Sequence, residues 1–414
     1  MRQRSHAASS QQITFEQFVH SRFCRTVAGV LAFLMTLYGV PLEVSTALPP
    51  GTMLFVSNTD PTCAGQSPCF STIQAAVDAA QAGDTIRIQA GQYDEAVVIK
   101  KKNQIATEAE RIVIEADPAA LAGSVKLGGA SDKCGKGDAI SIEASQFITI
   151  RGLTVTDAGG QAIVLAGGKK KNNGIRIERN RIVGNGSTKC LGGLQIGKGN
   201  ANTLIVNNLI YGNGQYALNF LAGKGGPHYV VGNTIHGNTK DGVLLGKDQE
   251  VWLINNSITG NGTDPKLGKK DGFGVKRVAP AKKAQPEQAL LLNNLICGNA
   301  KGELSGAMLD STDLDNLTPT GSEGPGVLAT PTCADLDTIY ANRNGADGVP
   351  NTLDDDFSLA FRSPAIDRGR DPRTLALGVP APLLEANVHL LTVGSHFRDK
   401  IVPRGIVSPH PGKL

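Results

Sequence analysis

Lysines recur at a regular spacing through the middle of the chain, and the first four of them directly follow a glycine. Successive intervals are 29, 26, 23 and 29 residues for Lys169, Lys198, Lys224, Lys247 and Lys276. A fold that brought one residue per interval to the same edge would align these ammonium groups into a strip able to bind a polyanion. The alternative is that the lysines splay into water at turns, where their mutual repulsion is weak and screened.

A repeated six-residue motif accompanies this spacing. It reads Asn-x-x-x-Gly-Asn, and its copies begin at Asn180, Asn208, Asn233, Asn256 and Asn294. A period of roughly 20–50 residues is typical of stacked repeat architectures. We expect the first Asn of each copy at a sharp corner, where Asn tolerates left-handed backbone and its side chain can hydrogen-bond from coil to coil. The motif therefore predicts a structural role.

Each period contains three short apolar or β-branched stretches, which turn residues separate. Within 242–261, for example, these stretches are GVLL, VWLI and SIT. None of the periods offers the long helical pattern that a βαβ unit needs. Three strands per coil, stacked in parallel, predict an all-β fold, the right-handed parallel β-helix, whose inner face is buried only by stacking.

Alternation along the first strand of each period predicts one inward and one outward row of side chains. The inward row is expected to contain Ile140, Ile163, Leu194, Leu218, Val243 and Val275. The outward row is expected to contain Ser141, Val164, Gln195, Asn219, Leu244 and Lys276. It holds two amides and one lysine but no carboxylate.

The N-terminal end of such a solenoid needs a cap, because an open end exposes core and strand edges. Residues 71–83 read as a short amphipathic helix. Ser71 is the expected N-cap, Gly83 the expected stop, and Ile73, Val77 and Ala80 share one face. We therefore expect this helix to close the N-terminal end.

The stretch CFSTIQAAVDAAQAGDTIRIQAGQYDEAVVI at 69–99 closely resembles the opening of secreted right-handed β-helix proteins of the pectate-lyase-like superfamily. The Asn-Gly-Asn coils resemble the repeats of that superfamily, and DDDFSLAFRSPAIDRG at 354–369 resembles its bacterial closing segment. The resemblance spans residues 54–370 and is specific for fold. It implies no single reaction, because the superfamily contains lyases, hydrolases, epimerases and non-catalytic surface proteins.

The resemblance also places a ligand groove on the sheet that carries the outward row. The paired Asp and the Gly-His-Gly of similar hydrolases are missing there, and so is the Asp-Pro-His of mannuronan epimerases. Related β-eliminating lyases use Lys or Arg as the base, which makes Lys276 and Arg277 the candidate catalytic residues. Tyr216, His228 and His236 are weaker candidates, and we expect His236 to be an exposed structural histidine.

The sequence thus predicts an exported β-helix protein that recognises an acidic polysaccharide. Cleavage of that polysaccharide by β-elimination is an optional second part of this prediction. The candidate substrate-binding residues are Lys198, Lys224, Lys247, Gln195, Asn219 and Tyr216. A non-catalytic cell-surface or envelope scaffold is the alternative. The lysine-rich insertion 263–286 is either part of the binding face or a solvated loop. No nucleic acid is expected, because the basic residues are not interleaved with aromatic ones.

No cofactor follows from the sequence, although one acidic stretch raises the question of calcium. NGADGVPNTLDDD contains Asp347, Asp354, Asp355 and Asp356, which could either coordinate Ca²⁺ or form a solvated acidic loop. Other metals are not expected, because the chain contains no CxxC motif and no Cys/His cluster.

The N-terminal 47 residues resemble a signal peptide, with an apolar run at 27–40 and small residues at 45 and 47. Either cleavage or retention as an anchor remains possible. The mature chain is expected to lack a membrane span and to be secreted, periplasmic or on the cell surface. The expected segments are a signal (1–47), an N-terminal cap and first coil (54–99), coils (100–310), a C-terminal coil or cap (311–372) and an irregular tail (373–414).

Cysteine usage agrees with export, because six cysteines remain once Cys24 is removed with the signal. Closeness in sequence suggests three disulfides, although other pairings stay open. These are Cys63–Cys69, Cys134–Cys190 and Cys297–Cys333.

Overall fold

The structure is a computed structural model. It describes residues 51–129, 131, 137–186, 192–268, 270–278, 289–306, 316–318, 327–329, 336–360 and 363. Among these residues the chain winds through three parallel sheets in turn, one strand of each sheet per coil. The predicted right-handed parallel β-helix is confirmed.

Sheet A contains β1 (Met53–Val56), β2 (Cys69–Phe70), β3 (Thr85–Ile88), β6 (Ile112–Ala116), β9 (Ile148–Arg151), β12 (Arg176–Glu178), β15 (Thr203–Val206), β18 (Gly225–Val231), β21 (Gln249–Ile254) and β24 (Ala289–Leu292). Sheet B contains β4 (Gly91–Asp94), β7 (Val125–Gly128), β10 (Thr154–Thr156), β13 (Arg181–Val183), β16 (Leu209–Tyr211), β19 (Thr234–His236), β22 (Ser257–Thr259), β25 (Leu295–Cys297), β27 (Asn316–Thr318) and β28 (Val327–Ala329). Sheet C contains β5 (Val97–Lys100), β8 (Ile140–Glu143), β11 (Ile163–Leu165), β14 (Leu194–Ile196), β17 (Leu218–Phe220), β20 (Val243–Leu245), β23 (Phe273–Arg277) and β26 (Gly302–Ser305).

The core lies between the three sheets, and the inward row of sheet C agrees with the sequence pattern. Its six residues pair coil by coil in the expected register. None is more than 1% exposed: Ile140, Ile163, Leu194, Leu218, Val243 and Val275. The alternation of the strand therefore fixes which side chains reach solvent on sheet C.

Stacked asparagines form ladders at the corners between sheets. The Asn-x-x-x-Gly-Asn motif supplies two of them, because it is a sheet B strand with one ladder residue at each end. The ladder between sheets A and B contains Asn180, Asn208, Asn233, Asn256, Asn294 and Asn316. The ladder between sheets B and C contains Asn185, Asn213, Asn238, Asn261 and Asn299. In both ladders the Oδ1 of each Asn after the first accepts a hydrogen bond from the backbone N–H of the Asn one coil earlier. The expected structural role is confirmed.

The left-handed backbone falls one residue away from the position we expected. At the A/B corner the positive φ belongs to the residue before the ladder Asn, such as Asn207 (φ 53°) and Asn255 (φ 55°). At the B/C corner it belongs to the motif glycine, for example Gly212 (φ 60°). The ladder asparagines themselves do not adopt this conformation.

The N-terminal cap is helix α1 (Ile73–Ala79), which buries Ile73, Ala76 and Val77. Its N-cap is Thr72 rather than Ser71, because the Thr72 side chain accepts the N–H of Ala75 at 3.1 Å. The Glu95 carboxylate also accepts the first free amides of the helix. Short 3-10 turns occupy Cys63–Gly65, Glu108–Glu110, Gly168–Lys170 and Leu336–Thr338.

A C-terminal hairpin covers the outer face of sheet B. Its antiparallel strands are β29 (Tyr340–Asn342) and β30 (Asp356–Leu359). Tyr340 and Phe357 pack with Tyr211 in a buried cluster, and the Tyr211 hydroxyl donates to the carbonyl of Thr352 at 2.7 Å. The hairpin therefore closes the outer face of sheet B from β13 to β25, whereas Gln92 and Asp94 of β4 remain exposed.

The Cys63–Cys69 disulfide is confirmed. Cys297 is also disulfide-bonded. Cys134, Cys190 and Cys333 lie outside the described residues, as do the expected signal segment and the C-terminal tail. Among the described residues no helix is long and apolar enough to span a membrane.

The register of sheet C can be tested with one aspartate on each face of β20. Val243→Asp should lower the free energy of unfolding by more than about 3 kcal/mol, because it places an unpaired charge in the core. Leu244→Asp is the matched control: its side chain faces outward and should cost about 1 kcal/mol or less. Chemical denaturation measures both, and equal losses would contradict the register.

Candidate functional site

The outer face of sheet C carries the row that the sequence predicted, extended by one residue at each end. We call this row the floor. Neighbouring strands pair it in register as Val98, Ser141, Val164, Gln195, Asn219, Leu244, Lys276 and Ser305. Val98 is 39% exposed. The floor therefore changes from apolar at one end to polar and charged at the other.

Two amides lie side by side near the middle of the floor. Gln195 receives a long hydrogen bond of 3.4 Å from Gln161. Within the described residues the amide of Asn219 has no hydrogen-bond partner, although Asn219 is only 6% exposed. An amide both donates and accepts, so this pair can bind the hydroxyl or carboxylate groups of a ligand.

Lysines line the corner where sheet C strands turn towards sheet A, and we call them the basic edge. Backbone hydrogen bonds connect this corner from coil to coil: Lys101 to Glu143, Ala144 to Lys170, Gly168 to Lys198, Gly199 to Lys224 and Gly223 to Lys247. The basic edge consists of Lys100, Lys101, Lys169, Lys170, Lys171, Lys198, Lys224 and Lys247. Sequence reasoning missed Lys100, Lys101, Lys170 and Lys171, although the runs KKK at 100–102 and 169–171 signal them.

Most of the basic edge has no acidic partner. Lys170 pairs with Glu143 at 2.8 Å, and Lys247 lies 4.0 Å from Asp248. Within the described residues Lys169, Lys198 and Lys224 form no salt bridge. The edge therefore retains net positive charge along the helix axis.

Lys276 does not belong to this strip, which corrects the sequence interpretation. Lys276 pairs with Leu244 on the floor, within a strand. Lys247, by contrast, lies two residues after Leu245, the last residue of β20. The Nζ of Lys276 donates to Asp271 Oδ1 at 2.9 Å and to the carbonyl of Lys270, and lies 3.5 Å from Asp241 Oδ2. Lys276 Nζ thus forms two hydrogen bonds and one longer ion pair, and Asp241 Oδ2 accepts no hydrogen bond in that pair. Arg277 pairs with core-facing Leu245 and does not join Lys276 on the floor.

Tyr216 lies where the chain enters β17, at the opposite side of sheet C from the basic edge. Its ring centroid is 5.6 Å from the Nζ of Lys240. Burial, with the charges of Asp271 and Asp241, raises the pKa of Tyr216 to about 12. Its hydroxyl therefore stays protonated at ordinary pH, where it can donate a hydrogen bond but cannot act as a base.

The two histidine candidates lie away from the floor. His228 is fully buried in sheet A, its Nε2 is 3.1 Å from Gln249, and burial lowers its pKa to about 4. His236 is buried under the C-terminal hairpin rather than exposed as expected, 4.8 Å from Phe357 between ring centroids. Its position follows from the hairpin, which the sequence pattern of sheet B could not reveal.

Carboxylates of the acidic stretch accept hydrogen bonds from the amides of their own loop. Asp354 accepts the amides of Ala346 and Asp347, and Asp355 accepts the amide of Asn351. Burial raises the pKa of Asp355 to about 6. Across the described part of the chain no cluster of three metal-ligating side chains is present. These carboxylates therefore act as caps for loop amides.

Comparison with solved structures identifies the class of fold. Pectate lyase Pel9A aligns over 80% of this chain and 94% of its own at 14% identity, with a TM-score of 0.52. An alginate lyase from Paenibacillus sp. FPU-7 also matches at 13% identity, with 68% of this chain and 96% of its own aligned and a TM-score of 0.40. The pectin methylesterase PemA from Erwinia chrysanthemi matches at 11% identity, with 70% of this chain and 97% of its own aligned and a TM-score of 0.41. The chain has the right-handed parallel β-helix fold of pectate lyase, an assignment that rests on the first of these. No family model and no curated protein matches the chain.

Burial of His236 predicts a pH-dependent stability. Its pKa is lowered from 6.5 to about 3, first by burial and then by the charge of Arg343. Below its unfolded pKa the unfolded chain takes up a proton that the folded chain refuses. The stability is therefore complete above about pH 6.5 and is lost as the pH falls towards 3.

The test compares the wild type with His236→Gln, which retains a polar partner for Thr259. As the pH is lowered from about 6 to about 4, the unfolding free energy of the wild type should fall more steeply than that of His236→Gln, by about 1.4 kcal/mol per pH unit. His228 and the carboxylates are present in both proteins, so their contributions cancel. Parallel pH curves from chemical denaturation would contradict the prediction.

Proposed function

We propose that this protein binds a linear acidic polysaccharide along the floor and the basic edge, with the polymer parallel to the helix axis. The observation that carries the proposal is the repetition of lysines without acidic partners at one corner. Adjacent coils stand about 4.8 Å apart, so the three coils from Lys169 to Lys224 present unpaired positive charge over about 10 Å. Lys247, which lies 4.0 Å from Asp248, continues the row on the fourth coil. A polyanion with regularly spaced carboxylates matches this arrangement.

The charges of the basic edge do not serve the fold. Like charges on adjacent strands are unfavourable, and solvent screening only weakens that penalty. Elsewhere the same solenoid alternates its charges: Arg87 and Arg151 both pair with Glu115 on sheet A. An unpaired row at one corner is therefore better explained by a ligand than by stability.

The floor complements the edge with uncharged groups. Gln195 and Asn219 offer amides for sugar hydroxyls, and Val98, Val164 and Leu244 offer small apolar surface for sugar rings. The part of sheet B from β13 to β25 cannot compete as the binding face, because the hairpin covers it. Pectate lyase acts, by its name, on an acidic polysaccharide, which gives a precedent for such a ligand on this fold.

We do not extend the proposal to β-elimination. Such a reaction needs a base that can remove a proton, whereas Lys276 is surrounded by Asp271, Asp241 and the carbonyl of Lys270. The competing interpretation is a scaffold with no ligand. Its distinguishing outcome is the absence of salt-sensitive binding to any polyuronate.

The Cys63–Cys69 disulfide supports the further proposal that the protein works in an oxidising compartment outside the cytoplasm. This compartment is where an acidic cell-wall or capsular polymer would be met.

The proposal predicts that Lys198→Glu plus Lys247→Glu weakens binding to polygalacturonate or alginate by about tenfold or more at low salt. Added salt should weaken wild-type binding strongly and the binding of the double variant less. Titration calorimetry provides the affinities. The control is Lys126→Glu plus Arg179→Glu, which makes the same change in net charge away from sheet C. Equal losses in both double variants would show that only net charge matters and would refute a site on this edge.

A further inference from the structure

A compact group of charges lies at the C-terminal end of the floor. Lys276 and Lys240 both face Asp271, at 2.9 Å and 3.8 Å between nitrogen and oxygen. Asp241 lies beneath them with its side chain 0% exposed. The ring of Tyr216 borders Lys240. Two ammonium groups and two carboxylates thus meet where the floor joins the insertion.

The two carboxylates differ in how they are held. Asp241 Oδ1 accepts the backbone amides of Gly272 and Phe273 at 2.7 and 2.8 Å, which fixes it in place. The Asp271 side chain is 24% exposed, and its carboxylate contacts the two lysines. Asp271 can therefore rotate into solvent without leaving a buried backbone amide unsatisfied, whereas Asp241 cannot.

From this difference we infer that Lys240 and Lys276 form a binding subsite for a carboxylate of the polysaccharide, and that Asp271 occupies this subsite when no ligand is bound. The inference rests on the proposed function and adds a second contact region to it. The occupant is a uronate carboxylate, because that group reproduces the charge and geometry of the Asp271 side chain.

The charges support the exchange. With Asp271 in place, two positive and two negative groups cancel. When Asp271 rotates away, the group carries one net positive charge on the polar end of the floor. A ligand carboxylate would restore neutrality, and Tyr216, whose hydroxyl stays protonated, lies close enough to Lys240 to border the bound sugar.

Asp271→Asn tests the inference, because it keeps the size of the side chain and removes the competing charge. The variant should bind oligogalacturonate about fivefold or more tightly than the wild type, since the ligand no longer displaces an ion pair. Asp264→Asn is the matched control: it makes the same charge change within the same insertion, and within the described residues Asp264 forms no ion pair with Lys240 or Lys276. Adding Lys276→Gln to Asp271→Asn should abolish the gain. The thermal midpoint of unfolding shows whether Asp271→Asn perturbs folding. If it does, Asp271→Ala serves as a second variant.

Two ligands separate the inference from the proposed function. Galacturonate monosaccharide should bind Asp271→Asn measurably better than the wild type, independently of the basic edge. If the wild type binds the polymer but Asp271→Asn gains nothing over Asp264→Asn, the subsite is refuted and the proposed function stands. If no protein binds the polymer but Asp271→Asn binds the monosaccharide, the proposed function fails and the subsite stands. Binding of neither ligand by any variant refutes both.

Discussion

The asparagine ladders are the interaction on which the rest of the structure depends. A corner of a solenoid buries backbone N–H and C=O groups that the parallel sheets cannot satisfy, and such groups are costly unless paired. Asn180 shows how one side chain solves this problem: its Nδ2 donates to the carbonyl of Ile150 and to Asn208 Oδ1, while its Oδ1 accepts the amide of Leu153. Because the coils from Asn180 to Asn294 repeat these bonds, they cannot slip relative to one another.

This fixed register turns repeated residues into rows, and the rows differ in purpose. On sheet A the row Arg87, Glu115, Arg151 and Glu178 alternates in sign and forms ion pairs. Alternating signs stabilise neighbouring strands, whereas the like charges of the basic edge oppose their stacking. The same geometry thus supports one charged row that stabilises the fold and another that a ligand would have to neutralise.

The three outer faces differ in how much of them remains open. The hairpin closes sheet B from β13 to β25, and burial of His236 with a lowered pKa is a consequence. On the C-terminal half of sheet A the outward residues Val231, Ile254 and Leu292 are at most 1% exposed. Sheet C retains a partly exposed floor with amides and charges, and it lies beside the basic edge.

The sequence by itself determined the solenoid, the register of sheet C, the capping helix and the Cys63–Cys69 bond, because each follows from local periodicity or closeness along the chain. It gave Lys276 two positions, one in the outward row of sheet C and one in the lysine strip, and only the first is correct. An interval of 29 residues counts strands and turns together, and hydrogen-bonded pairing decides between the two positions because Lys276 lies within a strand while Lys198 and Lys247 lie beyond theirs. Tertiary structure likewise decided the burial of His236, because the hairpin folds back onto sheet B from a distant part of the chain. It also decided the cluster of Lys240, Asp241, Asp271 and Lys276, because the insertion folds back onto the coils and brings Asp271 to the two lysines.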